Sequence, residues 1–165
     1  MIKKILIGLG IVLLIIQFIR PDKNESNDLT NDISTKYQVS SEELNHLLQV
    51  SCNDCHSNKT EYPWYSNVQP VAWWLNNHVV DGKKHLNFSE FTKKPLFVQN
   101  HKFDEIIEMV GDKEMPLPSY TNLGLHSEAN LTDDQRTMIV DCKAQMDYLK
   151  RTYPADSLVF PKRDD

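Results

Sequence analysis

The sequence predicts an all-α fold, in which a small helical domain follows an N-terminal transmembrane helix. Apolar residues recur every three or four positions in several segments, as they do along one face of an α-helix. No segment shows the strict alternation of apolar and polar residues that a half-buried strand requires. The chain also begins with lysines and a long apolar run, which is the pattern of a signal anchor.

The composition indicates a single globular domain and excludes nucleic acid as a partner. Hydrophobic residues make up 40% of the 165 residues and charged residues 25%, which is ordinary for a folded domain. The formal net charge is -5, so there is no general excess of lysine and arginine to neutralise phosphates. The cysteine count of 3 is too small for a disulfide scaffold.

Residues 1–21 are predicted to form a membrane anchor. Lys3 and Lys4 precede an apolar run from Ile5 to Ile19, and the residues that follow lack the small side chains of a leader-peptidase site. We therefore expect the segment to stay attached and residues 1–20 to contact the lipid bilayer. Because the lysines stay in the cytoplasm, we expect a single-pass protein of the bacterial inner membrane with its domain in the periplasm.

Beyond the anchor, the chain is predicted to divide into a tether and a domain. Residues 22–36 contain much Asn, Asp and Ser, so they cannot bury enough apolar surface to fold alone. Residues 37–160 form the predicted domain, and its helices are recognised from their start and stop residues. They are a helix capped by Ser40 and Glu43 that leads into Cys52, a helix from Pro70 to Gly82, a helix that stops at Gly111, and a last helix from Thr132 and Gln135 to Pro154.

The pentapeptide Cys52-Asn53-Asp54-Cys55-His56 has the C-x-x-C-H pattern of covalent c-type haem attachment. On a helical turn, residues at i, i+3 and i+4 project to one side, so both sulfurs and the imidazole can meet one flat macrocycle. We expect Cys52 and Cys55 to form thioethers with the haem vinyl groups, and His56 to bind the iron as the proximal ligand. The motif therefore predicts one covalent haem c.

Other uses of the cysteine pair fit the sequence less well. A structural zinc site needs four ligands, and a second ligand pair is absent downstream, although Cys142 or a remote histidine could serve. A thioredoxin-like dithiol follows a strand, and no strand is predicted before Cys52. A plain disulfide would leave His56 without a role.

Met115 and His78 are the candidates for the second iron ligand. Met115 precedes Pro116, which keeps it out of helical geometry and places it in a stiff, extended loop. A thioether from such a loop could reach the open haem face. His78 is the rival, because it lies on the apolar side of the helix that Pro70 starts. The remaining histidines, His46, His85, His101 and His126, are expected at the surface.

The chain resembles the bacterial haem-binding-domain proteins, single-haem c-type proteins with N-terminal membrane segments. The resemblance covers about residues 40–150 and rests on SCNDCHSNKTEYPWYSNVQPVAWWL, HVVDGKKHLNFSEF, EMPLPSYTNLGLH and the LTDDQ helix. It implies haem attachment at Cys52 and Cys55, ligation by His56, and a Met115 loop similar to that of class I cytochromes c. It also implies a fold like those cytochromes, with the first and last helices packed near one haem edge. Two positions depart from the family pattern, Cys142, where an aromatic residue is expected, and Phe91, where tryptophan is frequent.

The function that we predict is electron transfer by a membrane-anchored, periplasmic mono-haem c-type cytochrome. Its partners would be redox proteins at the membrane, and it would be an electron carrier rather than a catalyst. The alternative is a haem peroxidase-like oxidoreductase or a haem-based sensor, which needs a sixth ligand that can be displaced.

Overall fold

The computed structural model describes residues 1–39, 41–122, 126–141 and 143–161, and these are organised by helices. Extended pairing within these ranges is limited to an isolated bridge between Glu25 and Lys59, so the predicted all-α character is confirmed. The α-helices are α1 Ile2–Ile16, α2 Glu42–Leu48, α3 Asp54–His56, α4 Val71–His85, α5 Leu96–Gly111, α6 Pro118–Thr121, α7 Asp133–Val140 and α8 Lys143–Thr152.

The predicted transmembrane helix is wrong. None of the helices in the described ranges is long and apolar enough to cross a membrane. Helix α1 has 15 residues. At 1.5 Å per residue such a helix spans about 22 Å, against roughly 30 Å for the hydrocarbon layer. The predicted anchor at residues 1–21 and the single-pass inner-membrane location that followed from it are therefore not retained.

One of the two predicted side-chain caps is confirmed. The capping box at the start of α7 is confirmed, because Thr132 Oγ1 accepts a hydrogen bond from the Gln135 backbone N–H and the Gln135 side chain accepts one from Thr132. At α2 the cap is Ser41, whose Oγ accepts from the Leu44 N–H at 3.1 Å. The predicted cap at Ser40 lies outside the described residues.

Two predicted helix ends are wrong. Helix α4 continues past Gly82 to His85, so this glycine lies inside the helix rather than beyond its end. The predicted last helix is divided into α7 and α8, because α7 ends at Val140 and Asp141 leaves helical geometry. Cys142, which was predicted to lie on that helix, is outside the described residues. Helix α5 does end at Gly111, as its sequence predicted.

The core consists of two clusters that meet along α5. One is built on Tyr37, Phe91, Phe103, Met146, Leu149 and Leu158. The other is built on Leu47, Val110, Leu131 and Ile139. Ile106 of α5 packs against both clusters. The second cluster joins α2, which leads into the cysteine motif, to α5 and α7, so the motif is attached directly to the core.

The segment predicted to be a tether makes backbone contacts with the residues that follow the cysteine motif. The Ser26 N–H donates to the Asn58 carbonyl at 2.8 Å, and the Thr60 N–H donates to the Asn24 carbonyl at 2.9 Å. Asn24 also donates from its side chain to the Ser57 carbonyl at 2.8 Å. Residues 24–26 therefore lie against the exit of the motif, while the division of the chain at residue 36 stays a prediction.

Candidate functional site

The cysteine motif lies on continuous helical backbone. Residues Gln49–Asn53 form a π-helical turn that joins α2 to α3, so Cys52 lies on the wider turn and Cys55 and His56 on the turn after it. Single π-helical turns are rare and occur frequently at functional sites. Both Cys52 and Cys55 are free thiols.

The two thiols are protonated near neutral pH. Burial, together with the neighbouring Cys55, raises the pKa of Cys52 to about 12. Burial, together with the charge of Asp54, raises the pKa of Cys55 to about 11. A thioredoxin-like dithiol requires a lowered thiol pKa, because the thiolate is the reactive form. Both shifts run in the direction opposite to that of a thioredoxin-like dithiol.

The imidazole of His56 is held in one orientation and one tautomer. Its Nδ1 lies 3.0 Å from the Gly82 carbonyl oxygen and 3.0 Å from the Leu86 carbonyl oxygen. Both partners are acceptors, so Nδ1 carries the hydrogen and Nε2 presents its lone pair. Burial lowers the pKa of His56, which favours the neutral ring. A neutral imidazole with its second nitrogen fixed by a carbonyl is the form that binds haem iron, so this donor fits the group.

Gly82 allows α4 to approach the motif closely enough to make that hydrogen bond. A Cβ atom at this position would lie 2.5 Å from the Cys55 carbonyl oxygen and 3.0 Å from Cys55 Cβ. Real Cβ contacts are longer than this, so a side chain would force the helix and the motif apart. The sequence predicted a helix end at Gly82, whereas in the structure the glycine permits this close approach.

Met115 lies in the loop between α5 and α6 and is held from both sides. Its carbonyl oxygen accepts a hydrogen bond from Arg136 Nη1 at 2.6 Å, and the same nitrogen donates to the Val110 carbonyl at 3.0 Å. Its N–H donates to the Met109 carbonyl at 3.0 Å. The partly buried side chain packs against the cluster that contains Leu47 of α2, so the loop lies near the helix that leads into the motif.

His78 lies on α4, the helix that faces the Nδ1 side of the His56 ring. Its Nδ1 is 2.9 Å from the Trp74 carbonyl, and its ring is 4.3 Å from the Trp74 ring between centroids. It precedes Gly82 by one helical turn on α4. The same helix supplies the carbonyl that faces Nδ1 of His56.

A cluster of side chains that sequence analysis did not identify adjoins the motif. Tyr120 Oη donates a hydrogen bond to Asp54 Oδ2 at 2.7 Å. The Tyr120 ring stacks on His126 with centroids 4.0 Å apart, and His126 Nε2 is 2.7 Å from Tyr65 Oη. His126 is therefore partly buried rather than a surface residue. No local sequence pattern predicts this cluster, because the two residues joined by each of its hydrogen bonds are 61 or more positions apart along the chain.

The described residues give no support to a zinc site. Among them, no group of three or more His, Cys, Asp or Glu side chains gathers closely enough to hold a metal ion. Cys142, which was considered as a further zinc ligand, lies outside the described residues.

Comparison with known proteins gives a family match over most of the chain. The family described as "Haem-binding domain" matches residues 11–145. No curated protein and no solved structure was found to match the chain. The match includes the whole cysteine motif, the helix that fixes His56 and the loop of Met115. The chain therefore belongs to the haem-binding domain family, and haem is its cofactor.

Proposed function

We propose that the protein is a mono-haem c-type cytochrome that carries electrons between redox partner proteins. The observation that carries the proposal is the arrangement of His56, whose Nδ1 is fixed by carbonyl oxygens at 3.0 Å, beside two free thiols on adjoining helical turns. When bound, haem supplies an iron that exchanges one electron reversibly. The residues of the protein would attach the haem, orient it and supply ligands to its iron.

On the proximal side, Cys52 and Cys55 are proposed to form the two thioethers. Each neutral thiol would add its sulfur to one vinyl carbon and its hydrogen to the other, so no oxidant is required. His56 is then proposed to donate its Nε2 lone pair to the iron. The carbonyls of Gly82 and Leu86 accept from Nδ1, which keeps the ring oriented and increases the electron donation of the imidazole.

On the distal side, the geometry favours Met115 over His78. Nε2 of His56 would hold the iron, whereas Nδ1 faces the carbonyls of Gly82 in α4 and of Leu86 just after it. His78 belongs to α4, the helix whose Gly82 carbonyl faces Nδ1 of His56, and its ring nitrogen Nδ1 is turned to the Trp74 carbonyl of the same helix. Met115 belongs to a different part of the chain, the loop after α5, and is fixed through its own backbone. A thioether ligand raises the reduction potential relative to ligation by two histidines.

The packing of α2 on α7, the first part of the predicted last helix, supports a fold like that of class I cytochromes c. The resemblance implied that the first and last helices of the domain meet near one haem edge. Leu47 of α2 and Ile139 of α7 belong to one core cluster, together with Val110 of α5. Since α2 runs into the motif, this cluster would lie beside the attached haem.

The proposed axial ligands can be tested by comparing two methionines that pack on the same cluster. Met115→Leu preserves the side-chain volume but removes the sulfur, whereas Met138→Leu makes the same change at a residue with no proposed role. We expect Met115→Leu to lose the weak sulfur-to-iron charge-transfer band of the ferric protein and to lower the reduction potential. Met138→Leu should retain both.

Three results would contradict the proposal. If both variants keep the charge-transfer band, Met115 is not the ligand. A wild-type protein that is high-spin and reacts rapidly with peroxide would favour the peroxidase-like alternative. If added gases readily displace the sixth ligand of the wild-type protein, the haem-based sensor is favoured.

A further inference from the structure

We propose that Tyr120 is a positioning residue that holds the loop of Met115 against the haem-attachment turn. The proposal rests on the ligation by Met115 proposed above. Tyr120 Oη donates to Asp54 Oδ2 at 2.7 Å, and the Val50 carbonyl oxygen lies 3.3 Å from the same hydroxyl. Asp54 stands between the two cysteines of the motif, and Val50 stands just before them. One hydroxyl group therefore joins the distal loop to the segment that would carry the haem.

The chain between Met115 and Tyr120 is short and stiff. Pro116 and Pro118 lie within it, and each proline ring fixes its own backbone φ angle. Tyr120 belongs to α6, a short helix that Pro118 starts. The Tyr120 N–H also donates to the Leu117 carbonyl at 2.9 Å. Because the two prolines and this bond restrict the segment, we expect a displacement of Tyr120 to be transmitted to Met115.

The acceptor on the motif side is itself fixed. The second carboxylate oxygen, Asp54 Oδ1, accepts from the Glu61 N–H at 2.9 Å. The Asp54 carbonyl accepts from Thr60 Oγ1 at 2.6 Å. The carboxylate therefore cannot follow Tyr120 if the loop moves, and a hydrogen bond to a charged acceptor is stronger than one between neutral groups.

The ring of Tyr120 is also supported from the other side. It lies nearly parallel to the His126 ring, with an angle of 16° between the planes. Tyr65 holds His126 through the 2.7 Å contact between Tyr65 Oη and His126 Nε2. This stacking fixes the ring independently of the hydroxyl, so the hydroxyl can be removed without removing the ring.

The test uses Tyr120→Phe in the full chain loaded with haem. We expect a weaker sulfur-to-iron charge-transfer band and a higher affinity of the ferric protein for added imidazole, which displaces a poorly held methionine. The expected gain in affinity is roughly tenfold to hundredfold, as for the loss of one hydrogen bond to a charged group. The matched control is Tyr62→Phe, because Tyr62 Oη accepts from the Asn24 N–H at 2.8 Å, away from the Met115 loop. The control should leave both measurements unchanged.

Asp54→Ala removes the same hydrogen bond from the motif side and provides a second measurement if Tyr120→Phe fails to fold. We expect Asp54→Ala to raise the imidazole affinity as well, and Tyr120→Phe to add much less in that background than alone, because only the longer contact to the Val50 carbonyl at 3.3 Å then remains to be lost. Wild-type affinity and an intact band in either single variant would overturn the positioning role while leaving Met115 as the ligand. Absence of the band from the wild-type protein would overturn Met115 ligation, and the role of Tyr120 with it.

Discussion

Replacing Gly82 by alanine should destabilise the protein, although alanine is the better helix former. Gly82 lies inside α4, where the exchange would by itself stabilise the helix by about 0.5–1 kcal/mol. The added Cβ, however, would lie 2.5 Å from the Cys55 carbonyl oxygen, and an ordinary contact begins at 3.4 Å. Helix and motif must therefore separate by about 0.9 Å, the difference between those distances.

That separation also affects His56. The bond from His56 Nδ1 to the Gly82 carbonyl is 3.0 Å long. If the helix moves away along this direction, the distance reaches about 3.9 Å, which is beyond hydrogen-bond range. Overpacking costs about 1–3 kcal/mol and the lost hydrogen bond about 0.5–1.5 kcal/mol. Together the two costs exceed the gain in helix propensity, so we expect a net loss of about 0.5–4 kcal/mol in the free energy of unfolding.

Urea denaturation of the haem-loaded protein measures this loss, and Gly111→Ala is the matched control. A Cβ at Gly111 would have Val140 Cγ2 as its nearest neighbour at 3.9 Å, an ordinary contact. The control should therefore be neutral or slightly stabilising. The reduction potential of Gly82→Ala should rise, because His56 keeps only its bond to Leu86 and donates less strongly to the iron. A Gly82→Ala variant as stable as Gly111→Ala, with unchanged potential, would refute the close packing of α4 on Cys55.

Two further substitutions test the surroundings of the site. Arg136→Gln should lose the hydrogen bonds to the carbonyls of Met115 and Val110 and destabilise the folded state by about 1–3 kcal/mol. The control is Arg151→Gln, which changes an exposed arginine and should not alter stability. Thermal unfolding followed at the charge-transfer band compares the two variants, and equal melting temperatures would contradict the role of Arg136. Burial lowers the pKa of His126 in the folded state below its ordinary value of 6.5. As the pH falls below 6.5, His126 therefore binds a proton in the unfolded chain before it does so in the folded chain. Stability should therefore fall as the pH drops through about 6.5 towards the lowered value, and less steeply in His126→Gln; equal slopes in denaturation series at several pH values would contradict this.

The cysteine motif and the start of α7 could be recognised from sequence because their signals are local. The spacing of Cys52, Cys55 and His56 lies within five residues, and a capping box such as that of Thr132 and Gln135 within four. The position of Met115 in a loop followed from the proline after it. Each of these signals depends on neighbours along the chain, so no tertiary structure was needed to interpret them.

Features that depend on distant contacts were missed or misinterpreted. Gly82 was predicted to end its helix, since glycine is common there, but its role depends on Cys55 of another segment. The bond between Tyr120 and Asp54 joins residues 66 positions apart, and nothing near either residue indicates the other. The apolar run at the N-terminus suggested a membrane anchor, whereas the helix it forms ends at Ile16.

Covalent attachment of one haem at Cys52 and Cys55 is tested most directly by the mass and the haem content of the full-length chain made together with the c-type attachment machinery. The intact protein, denatured and extracted with acidified organic solvent, should retain a mass increase of one haem and a pyridine haemochrome spectrum typical of two thioethers. A polypeptide that leaves the extraction with its unmodified mass, and all of its haem in the solvent, would contradict covalent attachment at this motif.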